Sequence, residues 1–343
     1  MPVSGPIKEL SASAQQVIEE AFTGNRAKLT VGSNLADPRI WGVIAGHKCN
    51  GVTLVPSSLW ADMALVGAQH IWNAMRPESE LPGLNVGEME SPKGLIAKLP
   101  QPSEGQWVEM EANAELDASI RDQRGIVRCR FRSIKPDGTK IQEHASCTVR
   151  YEDKDSWRKS WAAQAEEVRN SIKLLHDAAY FGGAQKLDAS PAYDLFGRFV
   201  TYGDNYRGMD EVVFDELEGT SVVTFKTDTD SYTGSYHIDN SCHLSGFLCN
   251  ALDDEKEECV YISEGWHSAR YFDMSLLWDK TESQGRLTNY ARMAYKDKGI
   301  VEGDLYLFKD DALVSVWEGL KFKRIPRRVM NIFLPRPQTS GAG

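Results

Sequence analysis

The sequence is poor in the features that mark several large protein classes. It has no run of about 18 apolar residues, which excludes an ordinary transmembrane helix, and its first residues lack the apolar core of a secretory signal. It carries 39 basic and 49 acidic side chains, a formal net charge of -10. This balance argues against the broad basic surface that binds nucleic acid phosphates or anionic membranes. We therefore expect a soluble, cytoplasmic protein whose partners are neither nucleic acids nor membranes.

Cysteine is also scarce, and the sequence motifs of several kinds of catalysis are missing. The 6 cysteines are spread over 343 residues without a C-x-x-C pair, so neither a disulfide framework nor a zinc ribbon is indicated. The sequence contains no G-x-S-x-G motif and no glycine-rich phosphate loop. We therefore expect no nucleophilic serine or cysteine and no cofactor held by the chain itself.

Two parts of the chain repeat one order of elements. Alternating or β-branched segments predict strands in the first part at 27–31, 106–117, 125–134 and 140–151. Similar segments predict strands in the second part at 221–227, 258–263, 286–296, 299–308 and 312–323. Turn residues at 135–138 and 309–311 close corresponding hairpins. The repetition predicts two halves that are divergent copies of one unit.

Each part also contains one apolar helix ahead of its long strands. These helices are predicted over 57–75 and 240–252, and the apolar residues of the first recur at helical spacing among small alanines. One buried helix per antiparallel sheet, present twice, predicts an α+β double hot-dog fold. The charged segment 152–178 predicts a linker followed by a surface helix. We therefore place an N-terminal half at 1–156, a C-terminal half at 157–335 and a linker tail at 336–343.

Two short motifs stand at equivalent places in these halves. Before the first apolar helix, His47, Gly51 and Pro56 form the pattern H-x-x-x-G-x-x-x-x-P, and at the second helix Asp239 and His243 form D-x-x-x-H. Each motif alone has a simpler explanation, because a histidine near a glycine is commonly a turn residue and an aspartate before a helix is commonly an N-cap. Their matched positions favour a catalytic pair.

Together the two motifs resemble those of double hot-dog dehydratases, in which a histidine of one half faces an acid of the other across a shared tunnel. The sequence around them is similar to that of the product-template domain of fungal non-reducing polyketide synthases. The resemblance covers essentially the whole chain. Its matching segments are 46–51, 56–65, 237–250 and Gly265-Trp266.

The resemblance implies a poly-β-ketone held on the phosphopantetheine arm of an acyl carrier protein, closed by a regioselective aldol reaction and dehydrated to an aromatic ring. It implies His47 as the general base and Asp239 as its partner. A methylene between two carbonyls is acidic enough for a neutral imidazole to deprotonate it, and Asp239 would accept a hydrogen bond from the other ring nitrogen of His47. The other synthase domains and a second copy of the chain, in a homodimer, are the implied partners.

Further residues are candidates for binding the substrate. The alkoxide that grows during ring closure needs a hydrogen-bond donor, and Asn250, on the helix predicted to begin at Asp239, is our candidate. His243 and Trp266 are candidates for lining the tunnel, with Gly51 and Pro56 beside them. A polar residue on a buried helix face is as commonly bonded to backbone, so both interpretations of Asn250 and His243 stay open.

Three alternatives also stay open. A dehydratase of the same fold, acting on β-hydroxyacyl thioesters, would use the same histidine and aspartate. A non-catalytic acyl-chain chaperone would shield a reactive intermediate without using either residue. His237, Asp239 and His243 would suit a metal if 237–239 were a strand, since alternate strand residues share a face, although their spacing matches no known metal motif.

Overall fold

The structure is a computed structural model that describes residues 8–117, 124–197, 199–225, 232–251, 258–278 and 286–335. Its strands are β1 (Gln16–Thr23), β2 (Arg26–Asn34), β3 (His47–Cys49), β4 (Val52–Thr53), β5 (Gly83–Glu90), β6 (Trp107–Leu116), β7 (Gly125–Ile134), β8 (Lys140–Glu152), β9 (Gln185–Asp188), β10 (Val200–Tyr202), β11 (Met209–Asp215), β12 (Glu218–Thr224), β13 (Cys259–Tyr271), β14 (Arg286–Asp297), β15 (Ile300–Lys309) and β16 (Ala312–Pro326). Its α-helices are α1 (Pro38–Ala45), α2 (Ser57–Met75), α3 (Lys154–Tyr180), α4 (Ala189–Phe196), α5 (Gly234–Ala251), α6 (Ser275–Trp278) and α7 (Arg327–Phe333). The predicted linker tail at 336–343, and the last residues of the predicted strand 221–227 and helix 240–252, lie outside the described residues.

Apart from β3, β4 and β10, the described strands form one antiparallel sheet with an internal symmetry. Its 13 strands run in the order β1-β2-β6-β7-β8-β5-β13-β16-β15-β14-β12-β11-β9. Outward from the β5–β13 contact, β8 corresponds to β16, β7 to β15, β6 to β14, β2 to β12 and β1 to β11. The prediction of two similar halves, and with it the double hot-dog fold, is confirmed.

Helices α2 and α5 are the two helices that the sheet surrounds. In α2 every side chain from Ser58 to Ala68 is buried, and α5 is buried along most of its length. Trp60 of α2 packs on Phe131 with ring centroids 5.2 Å apart, and Phe247 of α5 packs on Phe214 at 5.1 Å. The two helices share a continuous apolar core, so the halves fold against each other as one body.

Helix α3 connects the halves and covers the outside of the second one. Asp153 caps its first turn by accepting a hydrogen bond from the Asp155 amide at 2.9 Å. Trp157 and Trp161 stack at 5.6 Å on the side that faces the protein. The division predicted between 156 and 157 falls in the first turn of this helix, so the helix itself belongs to both predicted units.

The start of α5 differs from the prediction. The helix begins at Gly234 rather than near Asp239, so Asp239 lies within the helix and the N-cap role considered for it is wrong. Tertiary contacts set this start: a Cβ at Gly234 would lie 2.1 Å from an oxygen of Asp62, and the Thr233 hydroxyl donates to the Leu277 carbonyl at 2.9 Å. Neither contact is visible in the local sequence.

Among the described residues, no helix combines the length and the apolar character needed to cross a membrane.

Candidate active site

A small sheet places His47 at the junction of the two halves. Strands β3 and β4 come from the first half and β10 from the second, and Tyr202 of β10 lies directly opposite His47 of β3. The turn between β3 and β4 needs left-handed backbone, with φ of 53° at Asn50 and 78° at Gly51. This conformation explains the glycine of the first motif, and Gly51 therefore shapes the loop that holds His47.

The imidazole of His47 is held in a form suited to accepting a proton. Its Nδ1 is buried and has no hydrogen-bond partner among the described residues, while the residue keeps part of its surface accessible. Burial lowers the pKa of His47, and the negative charge of Asp239 opposes that shift. The ring is therefore neutral near pH 7 and lies within the electrostatic reach of the acid from the other half.

Asp239 is paired with His243 instead of with His47. Its Oδ2 lies 2.6 Å from Nε2 of His243, one helical turn farther along α5. Burial raises the pKa of Asp239, but the hydrogen bond with His243 and the smaller influences of His47 and Ser58 outweigh it, so the pKa is lowered. The hydrogen bond predicted from His47 to Asp239 is not formed in this structure, because the helix places residues i and i+4 on one face.

Ser58 is a site residue that the sequence prediction missed. Its side chain is buried and bridges the starts of the two central helices, since its hydroxyl lies 2.8 Å from that of Ser235 on α5. Ser58 also contributes to lowering the pKa of Asp239. Pro56, buried just before α2, directs the chain from the His47 sheet into this helix start. The available signal for Ser58 was its position directly after the first motif.

Aromatic side chains surround the histidine of the second motif. The His243 ring lies 4.2 Å from Tyr202, 6.0 Å from Phe196 and 6.3 Å from Tyr193 and Tyr206, between ring centroids. His243 therefore lies among these aromatic rings, and its role in binding substrate stays a prediction. The aromatic residues come from 193–206, where no element was predicted, and the density of Phe and Tyr in that segment was the only signal.

The structure does not bring Asn250 to His47 and Asp239. It stands 11 residues after Asp239 on α5, about 16 Å along the helix axis. Its amide group donates to the carbonyls of Gly246 and Tyr261 and accepts from the Tyr261 backbone N–H, each at 3.0 Å. Both of its N–H groups are used in joining the helix end to β13, so the geometry favours the backbone-bonded interpretation.

Trp266 lies in a different part of the molecule, at the seam between the halves. Its indole N–H donates to the Val86 carbonyl at 2.9 Å, and its ring packs on Trp317 at 4.9 Å. It borders a surface groove of about 520 Å³ whose lining includes neither His47 nor Asp239. The geometry therefore makes Trp266 a packing residue of the β5–β13 contact.

His237 turns away from the other two residues of the metal hypothesis. Residues 237–239 are helical, so positions i and i+2 point about 200° apart. The Nδ1 of His237 bonds the carbonyls of Leu276 and Leu277 at 3.1 Å, and its ring stacks on Phe225 at 4.1 Å. In the described part of the chain, no three His, Cys, Asp or Glu side chains are placed to share a metal ion.

Comparison with known proteins gives relatives over almost the whole chain. It is 46% identical to non-reducing polyketide synthase PKS1 of Zymoseptoria tritici over 96% of its length, and 38% identical to non-reducing polyketide synthase Preu8 of Preussia isomera over 97%. The chain spans about 15% of the length of each. No family model matches it.

Solved structures share its fold. The dehydratase domain from the CurJ module of curacin polyketide synthase aligns with a TM-score of 0.65 and 12% identity, covering 93% of this chain and 99% of that one. The CurK dehydratase aligns as two inactive mutants, one with histidine changed to phenylalanine (TM-score 0.60, 10% identity, 91% of this chain and 97% of that one) and one with aspartate changed to asparagine (0.58, 11%, 90% and 96%). The chain is therefore a homologue of one segment of the fungal non-reducing polyketide synthases, folded as the double hot dog of polyketide synthase dehydratase domains.

Proposed function

We propose that the chain is a cyclase that closes a ring within an unreduced poly-β-ketone by an intramolecular aldol reaction and promotes the loss of water that makes the ring aromatic. One observation carries the proposal: His47 of one half has a buried ring nitrogen without a partner among the described residues, and both it and His243, the partner of Asp239, pack on the ring of Tyr202, with centroids 5.8 and 4.2 Å apart. A buried polar atom without a partner costs stability, and a base that must receive a proton from substrate accounts for it.

The neutral imidazole of His47 takes a proton from a methylene flanked by two carbonyls. Its lowered pKa keeps the ring unprotonated at neutral pH, and the high acidity of such a methylene makes a weak base sufficient. The enolate then attacks another carbonyl carbon of the same chain. The shape of the site, which holds both reacting carbons, sets the regiochemistry.

Asp239 stabilises the imidazolium that His47 becomes. It acts on His47 through its charge and not through a hydrogen bond, because its Oδ2 is bonded to His243. The hydrogen bond with His243 lowers the pKa of Asp239, which keeps the carboxylate ionised in a mostly buried site. His243 is thus a positioning residue that holds Asp239 charged and in place, and Ser58 adds a smaller lowering of the same pKa.

The names of the sequence relatives support a ketone substrate, and two structural neighbours support the choice of residues. They are named non-reducing polyketide synthases, and a chain whose β-carbonyls have not been reduced offers ketones rather than β-hydroxyacyl groups. The inactive CurK dehydratase mutants replace a histidine and an aspartate, the residue types that meet in this site. The substrate arrives on the phosphopantetheine arm of an acyl carrier protein, other domains of the synthase are partners, and the chain forms a homodimer.

The test supplies this 343-residue chain with the ketosynthase-bearing and carrier segments of a fungal non-reducing polyketide synthase, which make an unreduced chain in place. We expect a ring-closed aromatic product that replaces the shunt products formed without the chain, measured by liquid chromatography and mass spectrometry. A parallel assay offers a β-hydroxyacyl pantetheine thioester. Turnover of that thioester alone would establish the dehydratase alternative, and an unchanged product spectrum with His47→Ala would establish the chaperone.

A further inference from the structure

Ring closure also needs a hydrogen-bond donor, and the residues predicted from the sequence do not supply one. When the enolate carbon bonds to the carbonyl carbon, the carbonyl π electrons move to oxygen and an alkoxide develops. A donor fixed beside that oxygen lowers the barrier by more than any uniform binding contact. Asn250 was the candidate, and its amide is committed to backbone groups at the far end of α5.

Three tyrosines lie around His243, and two of them use their hydroxyls within the fold. Tyr206 donates to the Val43 carbonyl at 2.9 Å. Tyr193 donates to the Tyr206 carbonyl at 3.1 Å and accepts from the Met209 backbone N–H at 3.1 Å. Both side chains are buried. Their hydroxyls hold the 193–209 segment in place and are not free to meet a substrate.

The third tyrosine, Tyr202, differs in each of these respects. It keeps part of its surface accessible, and its hydroxyl makes no hydrogen bond with any of the residues that the structure describes. Directly opposed residues of an antiparallel pair point to the same face, so Tyr202 shares the face of His47, with ring centroids 5.8 Å apart. Its ring is fixed against His243 at 4.2 Å.

We propose that Tyr202 is a catalytic residue whose hydroxyl donates the hydrogen bond to the carbonyl oxygen that becomes the alkoxide during ring closure. This inference rests on the proposed cyclase function. His47 removes the methylene proton, the C–H electrons form the new C–C bond, and the attacked carbonyl oxygen gains the π pair. The proton held by His47 then passes to that oxygen, giving the β-hydroxy ketone with no oxidant or reductant.

The surroundings of Tyr202 keep its hydroxyl a donor. Burial raises the pKa of Tyr202 well above its ordinary value, and the negative charge of Asp239 raises it further. The phenol therefore keeps its proton at neutral pH. The tilted contact with the His243 ring holds Tyr202 without using its hydroxyl, so the donor is preorganised before the substrate enters.

The experiment compares Tyr202→Phe with Tyr151→Phe in the reconstituted synthase assay. Tyr202→Phe keeps the ring contact and loses only the hydroxyl, so we expect ring closure to slow by about 10²-fold with an unchanged melting temperature. The control is Tyr151→Phe instead of Tyr206→Phe, because Tyr206 itself packs on His243. Tyr151→Phe removes a buried hydroxyl that bonds the Ala68 carbonyl, so we expect a lower melting temperature and a rate close to wild type. If Tyr202→Phe instead lowers the melting temperature and keeps the wild-type rate, the role of Tyr202 is purely structural.

A second measurement separates the donor from the base. A pantetheine thioester bearing a 1,3-diketone too short to cyclise is incubated in D₂O, and deuterium uptake above the buffer rate reports proton removal. We expect wild type and Tyr202→Phe to exchange alike and His47→Ala to lose the exchange. If wild type cyclises and Tyr202→Phe matches its rate, the donor role is overturned alone. If wild type neither exchanges nor cyclises, the cyclase function and the donor role fall together.

Discussion

The two halves share a strand plan but contribute to the site in different ways. The first half supplies His47 from a short strand that precedes its central helix, with one ring nitrogen left unpaired. The second half supplies Asp239 from within its central helix, with its carboxylate already bonded to His243. The shared strand order therefore accounts for the frame, whereas the chemistry that we propose depends on where the halves differ: one ring nitrogen of His47 is left without a partner among the described residues and Asp239 is held by His243.

The largest expected effect comes from removing the unpaired nitrogen of the first half. His47→Ala should lower the rate of ring closure by about 10³-fold, since a positioned general base contributes that much, and should leave the melting temperature close to wild type. Product analysis of the reconstituted synthase measures the rate. His176→Ala, which removes an exposed histidine on α3, is the matched control and should keep full activity. Equal loss in both variants would argue against His47 as the base.

Asp62 tests whether the halves depend on each other for stability. This fully buried carboxylate of α2 accepts from Ser13 at 2.5 Å, from Trp278 at 2.8 Å and from Tyr232, so it joins the N-terminal segment to the second half. Asp62→Ala leaves one buried donor, Ser13, and two half-buried donors without an acceptor, and we expect a loss of about 3 kcal/mol in the free energy of unfolding by urea.

Its control is Glu78→Ala, which removes an exposed carboxylate just beyond the end of the same helix. We expect that change to stay within about 0.5 kcal/mol. Similar unfolding curves for the two variants would mean that the hydrogen bonds accepted by Asp62 do not hold the halves together.

Asp239→Asn removes the negative charge of this side chain and keeps its shape. Its charge raises the pKa of His47, so neutralising it should lower that pKa further. The base then stays unprotonated to lower pH, and the acid limb of the pH–rate profile moves to lower pH while the rate falls by about 10²-fold. Asp194→Asn, at an exposed position of α4, should change neither. An acid limb that does not move would mean that Asp239 and His47 are not electrostatically coupled.

The smallest effect is expected at Asn250, which lies in the second half alone. Asn250→Ala should cost about 2 kcal/mol of stability, because it unties the end of α5 from β13 and leaves buried backbone groups unpaired. Ring closure should keep its wild-type rate per folded molecule. A lower rate with unchanged stability would restore Asn250 as the donor to the alkoxide.

Much of the frame followed from local patterns. The bounds predicted for α2, β7 and the β14–β16 meander agree closely with the structure, since their hydrophobic periods and turn residues are visible within a few positions. The short strands β3, β4 and β10 were not predicted. Strand β10 pairs with β3 of the other half, some 150 residues away in sequence, and strands of two or three residues have no period of their own.

Within the site, the sequence by itself determined which residue types meet: His47 from one repeat and the Asp239–His243 pair from the other, each next to an apolar helix. Only the tertiary structure decided how they pair. The start of α5 at Gly234 is set by contacts with Asp62 and Leu277, and that start turns the D-x-x-x-H spacing into an i,i+4 bond. The packing of 193–206 also decides which tyrosine hydroxyl stays without a partner among the described residues. Those of Tyr193 and Tyr206 bond backbone carbonyls and that of Tyr202 does not, which depends on groups far away in the sequence.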